Sequence, residues 1–248
     1  MIRQMISVVL VLTGLCVVAL LVLVSVRWVR QACLSRIQTQ LGELEKDLWR
    51  EVRADPEHGR TAASLLAHVR LLQHRSLKFT DGEKSLRPLR EELQALLEDI
   101  ENYHAGLDVY ADKRGPIIKG YLSSIDRTLQ TYSVNVPRGY LGDRPFPLVV
   151  HLHGHGWFAP FQGHPAPEYG GAITLAPYGR GPTDYLYIGE VDVLRTIEEV
   201  KKDYLIDEDR VYLTGTSMGG TGCWTLAVHH PHLFAGIAPR AGNADYHA

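Results

Sequence analysis

Gly215-Thr216-Ser217-Met218-Gly219 has the residue types and spacing of a nucleophile elbow, with Ser217 placed 31 residues before the end of a 248-residue chain. A serine hydroxyl becomes a useful nucleophile when a sharp strand-to-helix turn lifts it clear of a sheet. The same turn aims the following backbone N–H at a developing oxyanion. Gly215 and Gly219 suit that turn because it forces unusual backbone angles and brings helix and strand close together. The flanks agree: residues 210–214 (Arg-Val-Tyr-Leu-Thr) read as a short buried strand, and Gly219 onward reads as a helix with a slim start. The chemistry expected of such a serine is acyl transfer.

A second stretch fits the first. The apolar strand Leu148-Val149-Val150 runs into His151-Leu152-His153-Gly154-His155-Gly156. A glycine-containing loop after such a strand lets backbone approach a substrate carbonyl and adds a second N–H to the oxyanion hole. The expected pair is therefore the backbone N–H groups of Met218 and His155, with His153, Gly154 and Gly156 shaping the loop. Two other readings stand beside it. One is a buried strand end with hydrogen-bonded histidines. The other is a metal site from the alternating His151, His153 and His155, which lacks a neighbouring Asp or Glu to complete it. No metal and no cofactor are expected.

The elements that must position these residues follow from periodicity. Strands are expected at 128–136, 147–152, 171–175, 210–214 and 234–238, separated by helices at 190–204 and 219–229, which implies a mostly parallel sheet. Before them, Leu34, Ile37, Leu41, Leu44 and Leu48 repeat at helical spacing until Asp55-Pro56. Further amphipathic helices are expected around 62–74 and from Ser85 to about Ile100, and residues 111–116 break the pattern. Ahead of all this, Ile6 to Val26 is an uncharged run of 21 residues. Such a run predicts a single membrane span, with Trp28 as an interfacial anchor. Arg27, Arg30 and Arg36 after the span mildly favour a cytoplasmic C-terminal part. The composition is ordinary, with 45% hydrophobic residues, 22% charged and a net charge of −2. It gives no electrostatic case for nucleic acid, and Cys16, Cys33 and Cys223 have no metal-type spacing.

Five stretches together carry a family resemblance: residues 132–137, 148–154, 176–181, 207–220 and 230–239. In this order they resemble α/β-hydrolases, most closely the esterase and poly(3-hydroxybutyrate)-depolymerase-like group that grades into prolyl-oligopeptidase-like domains. The resemblance covers about residues 121–245. It implies a partial α/β-hydrolase sheet with helices on both faces; the apolar periodicity and the uncharged run, not the resemblance, place a helical segment and one N-terminal transmembrane helix before it. It also implies Ser217 as nucleophile, and an acid and a histidine on later loops. After Ser217 the chain offers only Asp245 as acid, with His229, His230, His232 and His247. The last strands, with acid and base, are therefore expected to be missing from this sequence.

The resulting expectation is a membrane anchor over 1–30, a helical spacer over 31–110 and a C-terminally incomplete hydrolase domain over 117–248. The function expected is hydrolysis of a small-molecule or polymeric ester. A prolyl-oligopeptidase-like peptidase and a non-catalytic membrane-anchored interaction protein are the alternatives. Self-association through 34–104 is a partner expectation. The localisation expected is a membrane, with the extracytoplasmic side preferred on family grounds. Arg180 and Asp184 either line the substrate pocket or form an ordinary loop salt bridge.

Overall fold

The computed structural model describes residues 2–55, 59–79, 85–156 and 165–244, with side chains described from Ala19 onward. Three helices come first: α1 (Ile2–Ala54), α2 (Arg60–Leu77) and α3 (Arg87–His104). The sheet strands are β1 (Gly115–Leu122), β2 (Leu129–Val136), β3 (Phe146–Leu152), β4 (Ile173–Pro177), β5 (Ile206–Thr216) and β6 (Gly236–Arg240). Between them lie α4 (Ile188–Asp203) and α5 (Met218–His229). The strands form one six-stranded sheet in the order β1-β2-β4-β3-β5-β6. β4, β3, β5 and β6 run parallel, whereas β2 pairs antiparallel with both β1 and β4, so the sheet is mixed. Parallel neighbours need crossovers, and α4 and α5 supply those into and out of β5.

Strand β1 has no counterpart among the expected elements. Its sequence, Gly-Pro-Ile-Ile-Lys-Gly-Tyr-Leu, opens with two residues that usually break strands. Both are tolerated because β1 is an edge strand and Pro116 lies at its start. Gly120 serves a second purpose. A Cβ there would lie 2.7 Å from the Ala63 carbonyl, so its absence lets α2 lie directly on the strand.

The expected membrane span over Ile6–Val26 is corrected by the structure. Among the described residues, no helix is long and apolar enough to cross a membrane. The helix does not stop at Trp28 but continues as α1 to Ala54. The transmembrane element of the fold and the anchored localisation that rested on it therefore fall.

The helical stripe of α1 is buried against the rest of the molecule. Leu41, Leu48, Leu65, Leu72 and Leu96 from the three helices join one contiguous core with Val134, Leu148, Val150 and Leu175 of the sheet. Burying each such side chain contributes about 1.5–3 kcal/mol, which makes this shared core the main link between helices and sheet.

A charged cluster adds direction to that link. Arg60, at the start of α2, donates to Glu199 at 2.6 Å and to Asp203 at 2.8 Å, both on α4. Lys119 of β1 reaches the other oxygen of Asp203 at 2.5 Å. Glu199 is 1% exposed, so its charge depends on these partners. Arg195 and Lys202 also contact it. Arg60→Ala is expected to lower stability by about 2 kcal/mol, less than the ~3–5 kcal/mol for a wholly buried pair because Arg195 and Lys202 remain. The urea midpoint measures this, and Arg60→Lys should recover part of the loss.

Candidate active site

Ser217 lies between β5 and α5, with φ 59° and ψ −121°. This is a region that side-chain-bearing residues rarely occupy, at a cost of about 1–3 kcal/mol. The residue is exposed, while Met218 beside it is buried in the core. Close packing holds the turn. A Cβ on Gly219 would lie 2.1 Å from the Leu152 carbonyl oxygen, and one on Gly215 would lie 2.6 Å from the backbone of Gly219. Strand β6 completes the support: Ser217 N–H donates to the Arg240 carbonyl at 2.9 Å. Met218 opens α5, where the leading amides have no acceptor within the helix. They are therefore free to face negative charge at the serine.

The loop after β3 meets this turn. The place of a Cβ on Gly154 lies 3.2 Å from the Thr216 carbonyl and 3.8 Å from Ser217 Cβ, so the loop backbone lies against the elbow. His155 and Gly156 follow in an exposed turn, Gly156 at φ 109°. His153 is buried, with Nδ1 2.8 Å from the Gly154 carbonyl and Nε2 2.7 Å from the Tyr178 carbonyl. His151 lies within hydrogen-bond distance of the Tyr169 hydroxyl at 3.0 Å. Burial, then the Arg240 charge, lowers its pKa. The three alternating histidines thus have separate surroundings. No group of three His, Cys, Asp or Glu side chains among the described residues is arranged to hold a metal.

Of the residues following the serine, His229 and His230 both contact Glu190, at 3.0 and 2.6 Å. They lie at the far end of α5, ~18 Å or more from Ser217 at about 1.5 Å per residue. Asp245 and His247 lie outside the described residues.

Two residues that the sequence did not single out shape the site. Tyr185 is fully buried, with its ring held between Gly179 and Gly222, and its hydroxyl donates to the His153 carbonyl at 3.0 Å. Asp192, buried on α4, accepts from the Tyr121 hydroxyl at 2.5 Å and from the Gly179 N–H at 2.8 Å. Together they fix the β4–α4 loop. Six of its residues have positive φ: Gly179, Arg180, Gly181, Asp184, Tyr185 and Tyr187. The glycines at 179 and 222 were the readable signal for Tyr185, since they leave room for its ring. Arg180 is part of a loop ion pair, with Asp126 at 2.7 Å.

Burial raises the Asp192 carboxyl to a pKa of about 6, despite the hydrogen bonds that favour its charged form. The folded chain therefore holds this proton more tightly than the unfolded one, whose carboxyl titrates near ~3.9. Folding takes up a proton between these values, so this group's contribution to stability declines as pH rises from about 4 through about 6. Asp192→Asn removes the titrating proton, with its amide oxygen accepting from the Gly179 N–H and its NH2 donating to the Tyr121 hydroxyl oxygen, and is expected to flatten that decline, read as unfolding midpoint against pH from 4 to 8.

The sequence has relatives consistent with this geometry. The prolyl oligopeptidase family profile matches residues 190–248, from α4 through the elbow to the chain's last residue. Curated relatives include a probable feruloyl esterase C of Aspergillus flavus, 26% identical over 166 residues, and one of Aspergillus oryzae, 27% identical over 165 residues. Each match covers 60% of this chain, and the chain spans 60% of the length of either relative. Among solved structures, a thermostable esterase superposes with a TM-score of 0.45 at 29% identity, over 52% of this chain and 42% of that one. A ferulic acid esterase from the anaerobic fungus Anaeromyces mucronatus superposes with a TM-score of 0.41 at 19% identity, over 51% and 58%. Sheet order, elbow geometry and the two kinds of sequence match together identify the chain as having an esterase-like α/β-hydrolase fold.

Proposed function

We propose that Ser217 is the nucleophile of a carboxylic ester hydrolase acting through an acyl-enzyme. The observation that carries this reading is the exposed serine held at φ 59° between β5 and α5, with the Gly154 loop packed against it. In this scheme Ser217 Oγ bonds to the ester carbonyl carbon while a general base takes its proton. The backbone N–H groups of Met218 and His155 hold the oxyanion. The alcohol then leaves with the proton, and water releases the acid by the reverse sequence. His229 and His230 are not that base, because both are bound to Glu190 at the far end of α5 from the serine.

The names of the curated relatives support a carboxylic ester, and a hydroxycinnamate ester is the first substrate to try. A peptidase is the second reading, favoured by the prolyl oligopeptidase profile over 190–248. The ester reading is preferred because the esterase relatives match a longer part of the chain.

The full-length gene product, treated with a fluorophosphonate probe, should label at Ser217, and Ser217→Ala should abolish labelling. Turnover of methyl ferulate or a p-nitrophenyl ester should fall by about 10⁴–10⁶-fold in the same variant. Absence of labelling in a folded sample would exclude the nucleophile assignment. Faster cleavage of a proline-containing chromogenic peptide than of either ester would favour the peptidase.

A further inference from the structure

A pocket of about 570 Å³ lies at the sheet edge that also carries the candidate site, and its lining holds four arginines and no carboxylate. Its walls come from three distant parts of the chain. Trp49 and Arg53 belong to α1 and Arg70 to α2, Arg127 to Gln130 come from the β1–β2 hairpin, and Tyr178 and Arg180 from the β4–α4 loop. The chain as a whole has a net charge of −2, so four cations around one concavity are a local excess.

The arginines fall into two pairs. Arg70 donates to Glu45 at 2.8 Å, and Arg180 is held by Asp126 at 2.7 Å and by the Ser123 hydroxyl at 2.7 Å. Their charges are partly compensated and their side chains are held in place. Arg53 and Arg127 pair with no carboxylate among the described residues. Arg53 instead stacks over Trp49 at 4.8 Å, with Arg70 at 5.1 Å from the same ring. The indole therefore positions two guanidiniums without neutralising either. Arg127 occupies φ 58° in the hairpin turn, a strained conformation for a side-chain-bearing residue.

A second observation points to a ligand. Gln130 lines the pocket, is 5% exposed, and its Oε1 is buried with no hydrogen-bond partner. The orientation of its amide is set by its neighbours. The Thr128 hydroxyl donates to Asp126 at 2.8 Å and so accepts from Gln130 Nε2 at 2.6 Å, leaving the amide oxygen as the unpaired atom. A buried acceptor without a donor costs about 1–3 kcal/mol, a cost that a bound hydroxyl would remove.

We propose that this pocket binds an anionic, hydroxylated small molecule, with its carboxylate or phosphate between Arg53 and Arg127 and a hydroxyl donating to Gln130. Sheet register puts the start of β2 at the same edge as the ends of β4, β3 and β5. In the order β2-β4-β3-β5, the pocket is therefore about three strand spacings, ~14 Å, from Ser217. That distance suits an acidic group on the same substrate, a role that rests on the esterase reading. Anion binding itself does not.

Titration of the full chain carrying Ser217→Ala separates the two. Glucose 6-phosphate and galacturonate are expected to bind, more weakly as salt rises, and glucose is not. Arg53→Gln with Arg127→Gln should weaken binding by about 100-fold, roughly tenfold for each lost charge-assisted bond. Gln130→Leu should weaken binding of the hydroxylated anions and leave binding of inorganic sulfate unchanged. In the protein with Ser217 intact, a KM increase confined to acidic esters in the double arginine variant places the anion on the substrate. Binding without that KM change places it on a separate ligand at the same site. The proposal is overturned if neither anion binds at millimolar concentration, if glucose binds equally, or if the double variant binds both anions as tightly as the parent while keeping its unfolding midpoint.

Discussion

The approach of the β5–α5 turn to the end of β3 is the constraint on which the site depends. With 2.1 Å between the place of a Gly219 Cβ and the Leu152 carbonyl, no side chain fits there. The helix therefore starts almost in contact with the neighbouring strand. That closeness forces the backbone at Ser217 into a costly conformation and leaves its hydroxyl exposed. The cost is offset by the parallel pairing of β5 with β3 and β6 and by the bond from Ser217 N–H to Arg240. Local strain at one residue is sustained by a ladder of strand hydrogen bonds, which are cooperative and distributed.

Much of this was readable from residue order. The strand before Ser217, the helix after it and the His-Gly loop all lie where periodicity and small residues placed them, because each is defined by neighbours close in sequence. The stripe Leu34, Ile37, Leu41 and Leu48 is likewise buried, as its spacing implied. The errors came where tertiary context decides. β1 escaped notice because Gly115-Pro116 normally ends regular structure, and only its edge position makes them acceptable. The apolar run at the N-terminus has the length and lack of charge of a membrane span. In the described part, that run passes without interruption into a helix whose later turns are packed on α2. No local pattern distinguishes these outcomes.

The arginine pocket and the Asp192 network were unreadable for a related reason. Trp49, Arg127 and Arg180 are separated by tens of residues, and each alone looks like an ordinary surface or turn residue. Their proximity follows from antiparallel β2 bringing its first residues to the edge where parallel β4 ends, and from α1 packing on α2. The helical region, which offered no chemistry of its own in sequence, supplies a wall of this concavity together with part of its charge.

The β4–α4 loop carries four residues other than glycine at positive φ, yet it is held by the buried Tyr185 ring and by Asp192. A segment so far from its intrinsic preferences has few alternative shapes while those anchors hold. Its ordering entropy is thus lost at folding rather than at ligand binding. One face of the loop contacts the Gly154 turn through His153, and the other borders the arginine pocket. The Gly154 turn and the arginine pocket therefore border the same strained segment, and a ligand in that pocket meets a wall already in its final shape.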